Sequence, residues 1–330
     1  MDIRNRSALK ESAAASLGHS RNEKQIITLY AGVTIAIAAG MWLLDMAISH
    51  AISGTGGLSN LGTRSILQTL QSLLPVAQMI FTMCWSMGYL RAVMNISRNV
   101  PADTWTLTGC FRLFGPIFRL ELLTSLIYTG ILFGCAYLAS TLFIFTPLSQ
   151  PLTDMAASYD PSMLSGQAAL TDEILLPTLV AMIPVFAISF LLFALVGGPL
   201  VYSYRMASYC LLDDPRAGAR ASLRWSKAMI RGHRIELLKL DLSMWWYYGL
   251  ETLIGLAYYI GPILSLLGVR LPFSATVADM VFQILYYGLL FWFYISLRNY
   301  REVIYVKAYD RLRIPDVPPQ QVILGNIFQM

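Results

Sequence analysis

Residues 175–201 read LLPTLVAMIPVFAISFLLFALVGGPLV, 27 residues without one Asp, Glu, Lys, Arg or His. A bilayer core about 30 Å thick is crossed by roughly 20 helical residues, so this stretch is long enough for a tilted span. Its apolar residues run continuously instead of alternating every second position, which argues against a strand of a membrane barrel. In lipid the backbone must satisfy its own polar groups, and a helix does so within one segment. Working outward, comparable runs cover about 26–48, 73–94, 120–145, 242–267 and 276–297. The expected fold is all-α: a polytopic integral membrane helical bundle of six transmembrane helices.

Composition agrees with that reading. The 330 residues are 56% hydrophobic and 13% charged, with a mean hydropathy of +0.56. Soluble domains carry about 25% charged residues, so the apolar surplus here must face lipid. Disordered, collagen-like and disulfide-scaffold classes are excluded. Cys84, Cys110, Cys135 and Cys210 fall in apolar segments or beside basic ones, without paired spacing in polar loops, so no disulfide framework is expected. Residues 1–25 hold Arg4, Arg6, Lys10, Arg21 and Lys24 but no short apolar core with a cleavage site. The first span is therefore expected to serve as its own insertion signal.

Orientation follows from Lys and Arg, which resist translocation. With both termini inside, 22 of the 24 basic residues lie on the inner side and only Arg64 and Arg270 outside. The 146–174 loop has Asp154, Asp160, Asp172 and Glu173 and no basic residue, as an external loop can. The net charge of +5 is thus a property of membrane insertion, and no nucleic acid partner is implied. The layout is a single membrane domain over 1–330. A cytoplasmic N-terminus (1–25) precedes hairpin units 26–99, 100–212 and 213–310 and a cytoplasmic tail, 311–330.

One inner segment carries a sharper pattern. Arg216, Arg220, Arg224, Lys227 and Arg231 recur every three or four residues beside Ala217, Ala221, Trp225 and Met229. This predicts an interfacial amphipathic helix whose basic stripe meets anionic headgroups on the cytoplasmic side. Asp213-Asp214-Pro215 supplies a cap and first-turn proline for its start.

The chain also echoes itself. Gly18, Gly115 and Gly232 each precede an outward run, and Phe118-Arg119-Leu120-Glu121-Leu122-Leu123 is answered by His233-Arg234-Ile235-Glu236-Leu237-Leu238. Tyr89-Leu90-Arg91, Tyr204-Arg205 and Tyr294 to Arg298 close the three inward runs. A threefold internal repeat of helical hairpins would account for these landmarks. The run from Ser226 through Gly232, His233 and Arg234 to Leu240-Asp241-Leu242-Ser243 resembles the signature of a bacterial integral-membrane family known only as domain of unknown function 975. Leu9-Lys10 and Leu17-Gly18 resemble that family's opening segment. The resemblance implies a multi-pass protein of the bacterial inner (plasma) membrane and supplies no activity.

Candidate chemistry is sparse. Glu251 lies nine residues into the 242–267 run, about 14 Å along a helix and so near the bilayer middle. It is a candidate proton or cation site, or else a carboxyl hydrogen-bonded to Tyr247, Tyr258 or Tyr286 that holds the bundle together. Gly249, Gly255 and Gly261 would let a neighbouring backbone approach it. Asp45 and Asp279, near outer ends, are weaker intramembrane candidates, and Asp241 is expected to pair or face water beside Lys239. Pro177, Pro184 and Gly197-Gly198-Pro199 predict a kink in the 175–201 helix, a candidate gate. Gly130 and Gly134 have close-packing spacing. His19, His50 and His233 include no ligand pair; His233 with Glu236 reads as polar packing. The Gly54, Gly56, Gly57 and Gly62 loop lacks a phosphate-cradle lysine. No cofactor, metal or catalytic residue is expected. Two functions fit: a non-enzymatic scaffold or accessory subunit organising lipid or a partner membrane protein, and a small-molecule or lipid permease using Glu251 and the kink.

Overall fold

A computed structural model describes residues 5–19, 23–54, 61–146, 150, 172–260 and 275–313. Among these residues every regular element is helical. Helices α1 (Arg6–His19), α2 (Glu23–Gly54), α3 (Leu61–Ser97) and α4 (Thr104–Gly109) lead through a 3-10 turn, Cys110–Leu113, into α5 (Phe114–Ile144). Helix α6 (Asp172–Leu192) passes through a π-helical turn, Phe193–Gly197, into α7 (Gly198–Tyr202). Next come α8 (Ala207–Asp213), α9 (Gly218–Ile230), α10 (Arg234–Leu242) and α11 (Trp245–Ala257). Helix α12 (Ala275–Phe293) passes through a second π-helical turn, Tyr294–Arg298, into α13 (Asn299–Leu312).

Five stretches are long and apolar enough to cross a membrane: Glu23–Gly54, Gly62–Ser97, Thr104–Ile144, Met182–Asp213 and Met280–Leu312. The expected 242–267 run is not among them. Its start is broken at Ser243, whose hydroxyl caps the Leu240 carbonyl at 2.7 Å, while the Met244 N–H turns back to the Asp241 carbonyl at 2.8 Å. A fresh helix then begins at Trp245, and residues 261–274 lie outside the described residues. The 55–60 and 151–171 segments, with the acidic and Gly-rich loop features expected there, lie outside them as well, as does the 314–330 tail.

Two compact units are distinguished. The first combines Met1–Glu121 with Met206–Met330. Its packed part gathers α1, the second half of α3, α8, α9 and α13. Helix α13 buries Val303, Ile304, Val306 and Ala308 completely, and both α1 and α3 lie against it. Helix α1 presents Leu9, Ala13 and Ser16, an i, i+4, i+7 stripe, to this core. At the α3–α4 crossing Gly88 meets backbone: a Cβ there would stand 2.7 Å from the Leu107 carbonyl carbon and 2.9 Å from its Cα. Elsewhere apolar side chains stay exposed, among them Leu43, Ile66, Leu73, Met79, Leu253 and Ile284. Those positions fall on the apolar runs, as expected of surface that meets lipid.

The second unit is Leu122–Arg205. In α5, Cys135, Ala139 and Phe143 form a buried stripe four residues apart, while Leu126, Phe133 and Tyr137 are exposed. At Gly130 and Gly134 the close approach that their spacing suggests is not seen among the described residues, where a Cβ at either would meet nothing within 4 Å. The intimate approach in this unit is at Gly197, where a Cβ would come 2.7 Å from the Phe193 ring and 3.1 Å from Ile131. Where Gly197-Gly198-Pro199 predicts a kink, the helix makes a π-helical turn that ends at Gly197, with Pro199 in the first turn of α7.

Candidate functional site

The first unit holds a cluster of charged and aromatic side chains where α13 leaves the second π-helical turn. That turn places Arg298 and Arg301 on the side facing α2, α3 and α11. The Arg298 guanidinium carbon lies 4.5 Å from the Tyr294 ring centre, 5.1 Å from Tyr30 and 5.6 Å from Tyr89. Tyrosine π-faces from three segments thus surround one cation, an arrangement worth about 2 kcal/mol or more where water is excluded. Tyr30 and Tyr89 stack on each other with ring centres 4.1 Å apart. The Tyr89 hydroxyl donates to Asn299 Oδ1 at 2.5 Å, and Asn299 Nδ2 donates to Glu23 Oε1 at 2.9 Å, so α2, α3 and α13 share one polar chain.

Arg301 sits between two carboxylates. Its Nη2 meets Glu302 Oε1 at 2.5 Å, whereas Nη1 stands 3.7 Å from Glu251 Oε2. Its guanidinium also lies over Tyr247, 4.8 Å from the ring centre. Glu251 is therefore opposed by an arginine, and among the described residues none of the expected tyrosine hydroxyls, Tyr247, Tyr258 or Tyr286, hydrogen-bonds to it. Its side chain is 45% exposed, against 12% for Glu302. Gly249 and Gly255 do not admit a neighbouring backbone beside it, because a Cβ at either would meet nothing within 4 Å among the described residues. Gly261 lies outside them.

A second ionic centre joins α3, α8 and α13. Arg98 grips Asp213 through Nη1 at 2.7 Å and Nη2 at 3.2 Å, and reaches Asp310 at 2.6 Å. Asp213 also accepts from the Tyr309 hydroxyl at 2.7 Å and faces Arg313 at 3.3 Å. Burial acts to lower the Arg98 pKa, but hydrogen bonds and charge from Asp213 and Asp310 outweigh it and hold the guanidinium above the ordinary arginine range. These contacts explain why Asp213 does not cap the basic helix. It turns inward, Asp214 accepts the Arg216 N–H at 3.1 Å in a short turn, and α9 starts at Gly218 with φ +76°.

The remaining sequence-predicted residues separate cleanly. Arg216, Arg220, Arg224, Lys227 and Arg231 are all exposed, while the opposite face of α9 buries Ala219, Ser222, Leu223, Ser226 and Ile230. Ser226 accepts the Met206 N–H at 3.2 Å. Gly232, at φ +94°, makes the turn into α10 that a side chain would strain. His233 Nδ1 and Glu236 Oε2 are 2.7 Å apart. Ser243 O accepts from Lys10 Nζ at 3.1 Å, and Lys239 O from Arg6 at 3.3 Å, so the opening segment and the 226–243 motif meet. Asp241 is buried and accepts from the Tyr248 hydroxyl at 3.2 Å instead of facing water. Asp45 accepts from Gln71 Nε2 at 2.9 Å, a tie between α2 and α3. The side chains of Asp279 and His19 lie outside the described residues.

Arg98, Arg298, Arg301, Glu302 and Asp310 do not stand out in the sequence as site residues, because an arginine at an inner flank reads first as a topology signal. The signal that could have found them is the Tyr294–Arg298 spacing together with the crowding of Tyr and Arg at 294–313.

A family model described as Protein of unknown function (DUF975) matches residues 1–314. No curated protein and no solved structure matches the chain.

Proposed function

We propose that the chain, which belongs to the DUF975 family of proteins of unknown function, is a non-enzymatic membrane scaffold or accessory subunit that organises lipid or a partner membrane protein. In this reading it sits in the bacterial inner membrane with six spans. Both termini face the cytoplasm, and three hairpin units make up the bundle. The observation that carries the reading is the ionic layer around α13. Arg98 is held by Asp213 and Asp310, and Arg301 by Glu302 and Glu251, so the charges tie helices together. Such pairing suits a rigid platform.

A permease is the second reading, favoured by Glu251 and the first π-helical turn. Glu251 is half exposed with its arginine at 3.7 Å, loose enough to exchange partners, and π-helical turns often mark functional sites. The test is purification from native membranes directly into nanodiscs, followed by mass spectrometry of everything retained. A stoichiometric protein partner, unaffected by Glu251→Gln, is the result expected of a scaffold. Recovery alone or with one small molecule, lost in Glu251→Gln, would replace it with the permease.

A further inference from the structure

The basic flank of α9 makes no ion pair among the described residues. Arg98, Arg301 and Arg313 each face a carboxylate. By contrast Arg216, Arg220, Arg224, Lys227 and Arg231 are exposed and make no ion pair among the described residues. Arg220, Arg224 and Lys227 on the 13-residue helix, with Arg216 just before it and Arg231 at its C-cap, are five like charges that repel one another unless something anionic lies against them. We propose that this flank binds the phosphate groups of anionic phospholipids in the leaflet on which α9 rests. The proposal stands whether the chain is a scaffold or a permease.

The argument for lipid over an acidic protein comes from what adjoins the stripe. Seen down its axis, α9 has three sectors. One is buried against the core through Ala219, Ser222, Leu223, Ser226 and Ile230. The second is the basic flank. The third is apolar, running through Ala217, Ala221 and Met229 to Trp225, which is 39% exposed. A helix facing only water or a soluble acidic partner has no use for that third sector, whereas a helix lying in the interface sinks it among acyl chains beside snorkelling arginines.

The next helix points the same way. In α10, Ile235 is 67% exposed and Leu242 62%, with Leu238 exposed between them, while Leu237 and Leu240 are fully buried. Those exposed residues recur three or four apart, an outward apolar stripe of the kind that lies on lipid. Only Arg231, Gly232 and His233 separate α9 from α10, and the positive φ of Gly232 makes that turn tight. A lipid-facing α10 therefore keeps α9 at the membrane surface. The stretch around α4 has the same composition: Trp105 is 79% exposed, and Phe111, Phe114 and Phe118 are exposed beside Arg112 and Arg119.

The test uses the full chain in nanodiscs of phosphatidylglycerol and phosphatidylcholine in equal parts, with the lipids that stay bound counted by mass spectrometry. The expected result is enrichment of phosphatidylglycerol that drops roughly fivefold for each charge removed, as surface electrostatics of about 1 kcal/mol per basic residue gives. The pair Arg220→Gln and Arg224→Gln should lower it, and Arg220→Lys with Arg224→Lys should keep it. Unchanged helix content and melting of both pairs show that the loss is one of charge. Equal enrichment in wild type and the Gln pair would overturn the proposal. So would an acidic protein captured stoichiometrically from native membranes by wild type but not by the Gln pair, with lipid enrichment unaffected.

Discussion

Gly88 shows how much a single residue decides. A methyl group there would collide with the Leu107 carbonyl oxygen and crowd the carbonyl carbon and Cα, all backbone atoms that cannot swing aside as a side chain can. Gly88→Ala must therefore push α4 off α3, breaking the packing of the buried Leu107 and Cys110. The expected cost is about 2 kcal/mol or more, read as a lowered melting temperature in detergent, with Gly130→Ala, where space is open, as the near-neutral control. Neither glycine could be ranked from the sequence. Gly130 and Gly134 carry the familiar close-packing spacing and meet no neighbour among the described residues, whereas Gly88 has no motif about it. Spacing says that two small residues share a helix face. It does not say that a neighbour lies on that face, and here the packed stripe of α5 is Cys135, Ala139 and Phe143.

Helices were legible in the sequence where period and capping act locally, and illegible where a distant partner intervened. The basic face of α9 follows from residues three and four apart, and its exposure agrees. Its start does not, because Asp213 is drawn to Arg98, 115 residues away in sequence. The echo between 118–123 and 233–238 fares similarly: Leu120 is 1% exposed but its counterpart Ile235 is 67% exposed, and Leu122 is exposed where Leu237 is buried. Like strings here have opposite packing, which leaves the threefold repeat resting on layout. The second π-helical turn had no glycine or proline to announce it. Such a turn takes up one residue more than an α-turn, so it behaves as an insertion absorbed without changing the phase of α13. Deleting Ser296, which is exposed, should leave melting within a few degrees of wild type. Inserting an alanine after Ser296 exceeds what one turn can absorb. It should rotate α13 by about 100° and abolish the cooperative melt.

Across the whole molecule, composition and the continuous apolar runs foretold the all-helical class of fold, and the residues of the candidate site stayed hidden because they come together only in three dimensions. Cys84, Cys110, Cys135 and Cys210 illustrate the first half of that statement: sequence context argued against a disulfide framework, and all four are free and buried. A small maleimide should accordingly label the folded protein slowly and the denatured protein at all four thiols, by intact mass; rapid labelling of the folded state would mean a looser core. The order of the chain adds a consequence for biogenesis. Helix α13 is translated after every helix it packs against, yet it supplies Asp310 and Tyr309 to the centre around Arg98 and follows directly on the arginine that the tyrosines of α2 and α3 enclose. Until residues 299–312 have been made, the earlier helices can pack on one another but lack the partner that closes the Arg98 centre. A chain stopped at 298 should therefore carry the arginine that the tyrosines of α2 and α3 enclose but lack Asp310 and Tyr309. It is expected to be cut by protease faster than the full chain, so that α13 sets when the core can close.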